Sequence, residues 1–282
     1  MNLRIFFVRF GYEDYPNALG NLVNHLLPIF SGTIFLTCIE NDVNSPLDVP
    51  RLNISEDRIK VLRGCNDCGE FSAWDLAVSS LDTNVDDIIL FVTSAYAKNY
   101  GNIDWNILKY INKNFFDIII SKNYLKNSLI GELSRGVDEF QNYEGNFSYW
   151  IRSHFFLMGI SSLKKIYPFN KLHSNLKNVS EIFDSIQASQ KYKNFIIDWL
   201  SNKDFKGVRW NKSNLDIVLD SHSLNRKVKS ILLEHLMSQI AKNSGIRLVD
   251  AVALSCELFD SSEEEQFYFK MKFDPPSVPY PY

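Results

Sequence analysis

Over the first 170 residues the apolar positions switch repeatedly between strand-like runs and helical spacing. Leu3 to Val8 is a continuous apolar run of strand length, and Leu19, Leu22, Val23, Leu26 and Leu27 then predict a helix from about Ala18 to Phe30. Thr33 to Ile39 and Arg58 to Leu62 predict two more strands, separated by a long polar loop from Val43 to Asp57. Phe71, Trp74, Ala77, Val78 and Leu81 recur at helical spacing from about Glu70 to Leu81, and Ile88 to Val92 is the fourth strand, apolar throughout as in a sheet covered on both faces. Beyond it the pattern predicts a loop from Ala95 to Asp104, a helix from Trp105 to Phe115 and a fifth strand from Phe116 to Ile120. Residues 122–146 read as a polar loop, Tyr149 to Met158 as another strand and Ser161 to Tyr167 as a short helix. This alternation predicts an α/β fold with a mainly parallel sheet and flanking helices.

The strand signal then stops. From about Asn178 onward the spacing is helical through Ile182, Ile186, Trp199, Val228, Leu232 and Leu236, with a further helix expected from Val249 to Phe259. The expected organisation is therefore an α/β domain over 1–170, a mainly helical region over 171–273 and a Pro/Tyr tail over 274–282.

Composition adds one asymmetry. The net charge is −3, yet residues 161–230 carry 13 Lys+Arg against 6 Asp+Glu. That stretch is either a solvated helical face or a surface for phosphates, anionic saccharide or anionic lipid headgroups, which would make residues 161–230 a peripheral membrane contact. The overall balance argues against nucleic acid as a partner. Of the cysteines, Cys65 and Cys68 form a lone C-x-x-C without the second pair that a structural zinc site requires. The amino terminus is too short to be a signal peptide before the first strand, and no apolar run approaches a membrane span, so the expected location is the cytoplasm. Phosphate-loop, dinucleotide-fingerprint, zincin and nucleophile-elbow motifs are missing.

The stretch Gly69-Glu70-Phe71-Ser72-Ala73-Trp74, then Asp87-Ile88-Ile89-Leu90-Phe91 with its polar strand end, then Ser153-His154-Phe155-Phe156-Leu157 before a short helix, resembles bacterial glycosyltransferases of surface-polysaccharide assembly, of the rhamnan-synthesis type. The resemblance covers about residues 1–170 and implies a GT-A-like fold. In such a fold a nucleotide-binding parallel sheet continues into an acceptor-binding half. The partners implied are a nucleoside diphosphate sugar donor and a saccharide or lipid-linked saccharide acceptor. It places Val8, Arg9, Phe10, Glu40 and Asn41 at the nucleotide, and Asn66, Asp67, Glu70 and Trp74 beside the same pocket. Glu70 reads equally as a first-turn acid complementing the helix dipole, and Trp74 as plain core.

The fourth strand departs from the family pattern. Where Asp-x-Asp would hold a divalent cation, manganese or magnesium, this chain has Thr93, Ser94 and Ala95, so no metal ligands are assigned. Diphosphate charge would then be offset by Lys98, Arg135 or Arg152. An inverting transfer needs a carboxylate base, for which Asp138 and Glu139 stand ahead of Glu144, and the resemblance places a functional histidine at His154. The missing carboxylates also leave open a non-catalytic member that binds or scaffolds other polysaccharide enzymes.

Overall fold

The computed structural model describes residues 1–10, 17–81, 87–97, 107–172, 176, 178–201, 222–258 and 260–273. Seven strands form one sheet in the order β3-β2-β1-β4-β6-β5-β7. Its first half, β1 (Asn2–Arg9), β2 (Thr33–Glu40), β3 (Ile59–Arg63) and β4 (Ile88–Thr93), is parallel throughout. The second half is a long hairpin, β5 (Ser128–Asn142) and β6 (Gly145–Gly159), with β6 antiparallel to β4 and β7 (Arg247–Asp250) parallel to β5. Every strand except β6 therefore runs in the same direction.

Each face of the sheet is covered. On one, Phe6, Val8, Ile89, Phe91 and Phe156 pack against α2 (Glu70–Ser79) and against α4 (Ile160–Ile166), α5 (Val179–Ser185), α6 (Gln190–Ser201) and α7 (His222–Asn243). On the other, Ile5, Phe7, Ile88, Leu90 and Val92 pack against α1 (Ala18–Leu26), α3 (Lys113–Ser121) and α8 (Ala251–Ser255). A last helix, α9 (Glu263–Phe273), lies against β5 and β7. All six residues of β4 are buried, as its uninterrupted apolar run requires. Asp87, just before it, is buried and accepts from Asn2 N–H and from Arg4 Nε at 2.6 Å, so its carboxylate is paired.

The structure corrects three expected elements. Phe116 to Ile120 lies in helix α3, not in a strand; Asn112 caps it by accepting from Phe115 N–H, and a short apolar run cannot by itself distinguish the two states. Residues 128–142, read as loop, are β5, where register shifts between Gly131 and Leu133 and between Arg135 and Phe140 break the alternation that would have revealed a strand. At the first shift Gly131 is required, since a Cβ there would lie 2.7 Å from the Ile151 side chain and 2.8 Å from the Phe155 carbonyl. Finally, Val249 and Asp250 belong to β7, and helix begins only at Ala251 with Asp250 as its cap. The expected tail, 274–282, and Lys98 lie outside the described residues.

Trp74 is core. It is 0% exposed and packs edge-on against Phe71, Phe91 and Phe156, with ring centroids 5.2, 5.4 and 5.1 Å away. It lines no crevice, which corrects its placement at the donor; a bulky ring on the inner side of α2 has nowhere to go but the sheet. Its indole Nε1 has no partner. Trp74→Ala is expected to cost about 3–5 kcal/mol in denaturant unfolding, and Trp74→Phe only about 1 kcal/mol, because the phenyl ring refills the space and removes an unpaired N–H.

Candidate functional site

In the parallel half the chain moves from β1 outward to β2 and β3, then returns to β4 on the other side of β1. In open α/β sheets such a reversal leaves a crevice outside the carboxyl ends of the two strands, here β1 and β4, where ligands bind; residues 11–16 and 98–106, which follow these strands, lie outside the described residues. Thr93 and Ser94 end β4 there and are buried. Val8 has its side chain in the core and offers the crevice only backbone, while Phe10, just past the strand, is 39% exposed. Arg9 and Glu40 face each other instead of open space: Nε donates to Oε2 at 2.5 Å, Arg9 also donates to the Pro46 carbonyl, and Glu40 accepts from Asp42 N–H. This pair clasps the 42–48 loop and corrects the expectation that both side chains contact the nucleotide.

The loop between β3 and α2 borders the same edge. Asn41 donates to the Gly69 carbonyl at 2.9 Å and leaves its Oδ1 without a partner. Asn66 sits at φ +55° with a buried, unpartnered Oδ1, and Asp67 is exposed. Gly69 takes φ +61°, a conformation open to glycine at little cost, and turns the chain into α2.

Glu70, at the start of α2, joins three elements. Its Oε1 accepts from Ser153 Oγ of β6 at 2.6 Å and its Oε2 from Ser230 Oγ of α7 at 3.0 Å. The backbone N–H of the same Ser153 donates to Glu234 of α7 at 2.6 Å. On either side of Ser153, Arg152 and His154 both turn to Glu132 of β5, at 3.3 and 3.0 Å, and Lys270 of α9 lies 3.4 Å from the same carboxylate. Lys270 also donates to the Leu133 carbonyl and approaches Asp250 at 3.7 Å.

These carboxyls are pushed in opposite directions. Burial alone would raise Glu132, but Lys270, Arg152 and His154 outweigh it and hold the group well below the ordinary carboxylate range. At Glu234 burial wins: the carboxyl is raised despite Arg152 and the Ser153 N–H, with Glu70 adding to the shift. A carboxyl raised toward neutrality and partly open to solvent is suited to taking a proton.

Glu234 opens into a cleft of about 70 Å³ lined by Ser134, Arg135, Trp150, Arg152, Trp199 and His235, among others. Arg135 lies over the rings of Tyr149 and Tyr268 and donates to the Tyr268 hydroxyl at 2.7 Å. Behind the cleft His235 is buried, 4.2 Å from the Trp150 ring and 2.7 Å from the Tyr192 hydroxyl, and burial pushes its ring down to about 3. The cleft therefore combines aromatic walls, two cations and one raised carboxyl.

Asp138 and Glu139 are not part of it. Both are exposed on the far half of β5, Asp138 paired to Lys191 at 3.0 Å and Glu139 to Asn146. Phe155 stands beside Val92 near the end of β4, whereas Phe147 stands beside Phe140; at about 3.3 Å per residue the hairpin carries these acids roughly 20 Å or more from the crevice. Position in the chain could not reveal that, because the strand was hidden. The carboxylates that do converge, Glu132 and Glu234, were missed. Glu234 left no signal in the sequence: Ser230, Glu234 and Ser238 recur at four-residue spacing along α7, as on a solvated helical face, and only folding buries Ser230 and Ser238.

Among the described residues no group of three or more His, Cys, Asp or Glu is placed to hold a metal ion, and no helix is long and apolar enough to cross a membrane. No protein-family model matches the sequence, and no curated protein matches it.

Glu132→Gln removes the carboxylate that Lys270, Arg152 and His154 share, leaving Lys270 the more distant Asp250 at 3.7 Å, and is expected to cost about 3 kcal/mol at neutral pH. Because the folded-state value of Glu132 lies below 4.5, its stabilisation is present above that pH and disappears as pH falls through the folded value, which the variant would not show in acid titration. His235 acts in a different window. Its unfolded form takes up a proton near pH 6.5 and its folded form only near 3, so unfolding free energy should fall by about 2 kcal/mol between pH 7 and pH 5, and by less in His235→Gln.

Proposed function

We propose that this protein is a glycosyltransferase that moves a sugar from a nucleoside diphosphate donor to a saccharide or lipid-linked saccharide in surface-polysaccharide assembly. The observation that carries the reading is the Trp150–Trp199 cleft with Glu234 at its inner wall, joined through Ser153 to Glu70 beside the carboxyl edge of the parallel strands. A parallel half that continues into a hairpin half is also the layout that a GT-A-like fold would have. In this proposal the donor lies in the crevice beyond β1 and β4, and the acceptor ring stacks its apolar face on the indoles. Glu234 accepts the proton of the acceptor hydroxyl as that oxygen bonds the anomeric carbon, while the bond to the diphosphate breaks and its electron pair leaves with the phosphate. Arg152 lies close enough to Glu234 to favour its ionised form. The basic stretch 161–230 would bring the enzyme to an anionic lipid surface at low salt.

One observation favours a non-catalytic binding protein instead: Thr93, Ser94 and Ala95 supply no carboxylate at the end of β4. The two readings separate in one experiment. Purified protein is screened by thermal shift against nucleoside diphosphates and nucleotide sugars, with manganese and with chelator, and sugar release or transfer is then followed for any donor that binds. Glu234→Gln is expected to lose at least about 100-fold in turnover with donor binding kept, and Asp138→Asn to stay within about twofold of wild type. Donor binding with no turnover in the wild type would favour the binding protein; no binding of any nucleotide would remove both.

A further inference from the structure

The cleft at Glu234 carries positive charge that its own acids do not answer. Of the two guanidinium groups in its wall, Arg152 is committed to the buried Glu132 at 3.3 Å. Arg135 is not. Among the described residues it makes no ion pair, and its hydrogen bond goes from Nη1 to the Tyr268 hydroxyl at 2.7 Å. Glu264 acts on it electrostatically without pairing. The other titratable groups of the wall do not supply the missing charge, since burial raises the Glu234 carboxyl toward its neutral form and keeps the His235 ring uncharged.

Arg135 is also held in place. Its guanidinium carbon lies 5.5 Å from the Tyr149 ring centroid and 5.6 Å from that of Tyr268, contacts that steady the group without spending its remaining N–H donors. Arg135 is in register with Tyr149 and Ser134 with Trp150, so the guanidinium and one indole leave adjacent positions of the same hairpin. Trp199 of α6 supplies a second indole, and the exposed Lys227 stands over its ring at 5.7 Å, adding to the positive field. An indole takes the apolar face of a sugar ring; a guanidinium fork takes a carboxylate through two parallel N–H groups.

We propose that Arg135 is the specificity determinant of this cleft and that the acceptor is an acidic saccharide, whose uronate carboxylate pairs with the guanidinium while its ring lies on the indoles. This rests on the acceptor reading above. One steadied, unpaired guanidinium matches the single charge of a carboxylate, whereas a phosphate monoester brings about two charges at neutral pH. A neutral sugar would stack as well but leave the fork without an acceptor.

The test uses the full chain and a panel of oligouronates of galacturonate, glucuronate, mannuronate and guluronate type, each beside its methyl ester, which keeps the sugar and removes the charge. Binding is read by calorimetric titration and tryptophan fluorescence. At least one oligouronate is expected to bind the wild type at least tenfold more tightly than its ester, and more weakly at high salt. Arg135→Met should weaken that acid at least tenfold and keep its ester within a few-fold, so that the preference disappears. Arg135→Lys should keep part of the preference, because it retains the charge without the fork. Lys60→Met, on β3 at the opposite edge of the sheet, removes the same charge and should change neither. Melting temperatures separate lost folding from lost recognition, and the wild-type comparison of acid with ester needs no variant. Absence of binding by every oligouronate, equal binding of acid and ester, or a preference that survives in Arg135→Met overturns the proposal, as does a sugar phosphate bound more tightly than every uronate. Acid preference that depends on Arg135, with no nucleotide sugar bound, supports the acidic-saccharide site and removes the glycosyltransferase reading. Sugar transfer to neutral acceptors as fast as to acidic ones overturns the site and spares that reading.

Discussion

Glu70 is an acid 9% exposed at the junction of three elements, and the arrangement around it follows from the need to satisfy that carboxylate. Two hydroxyls do so, Ser153 from the antiparallel strand and Ser230 from the long helix. Meeting both at once fixes the start of α2 against β6 and α7. Once those elements are locked, Arg152 and His154 must flank Ser153, and Glu234 must sit one helical turn beyond Ser230. Ser230 is set against Gly69 by the same contact. The candidate site is therefore a consequence of a polar network inside the core, where low dielectric makes each satisfied bond count and each missing one expensive.

That network also sorts the charges. Glu132 has three cations around it and stays ionised; Glu234 has burial and a neighbouring acid against it and is raised. Arg152 acts on both carboxyls, yet they are displaced in opposite directions, because Glu132 has Lys270 and His154 as well and Glu234 does not. Glu132 serves the fold as well. Lys270 reaches Glu132, Leu133 and Asp250 together, and so ties the last described helix to nearby β7 and, across more than a hundred residues of chain, to β5.

The helical region beyond residue 170 shares the core of the sheet, with Tyr192, Ile196, Val228, Leu232 and Phe267 in the same apolar cluster as Phe91 and Phe156. Its basic character is partly spent on ion pairs, Lys193 with Asp184 and Lys191 with Asp138.

The parallel half was legible in the chain itself. Four apolar runs and the helices after the first and third announce β1 to β4 with α1 and α2, because strands covered on both faces must be apolar throughout and local period is enough to see that. Asn41 and Glu70 were placed beside a pocket by the resemblance alone, and folding is what ties them to Gly69, Ser153 and Ser230. What only the tertiary structure decided lies where period fails: β5, whose bulges scramble its alternation; β7, whose last two residues fall at the start of an expected helix; and the Phe116–Ile120 run, helical with Asn112 as its cap. The site suffers the same limit. Glu70, Glu132 and Glu234 stand far apart in sequence, and what each does is set by charges and hydroxyls brought beside it by folding. Spacing along a chain carries information about the element a residue is in, not about the neighbours that fix its charge.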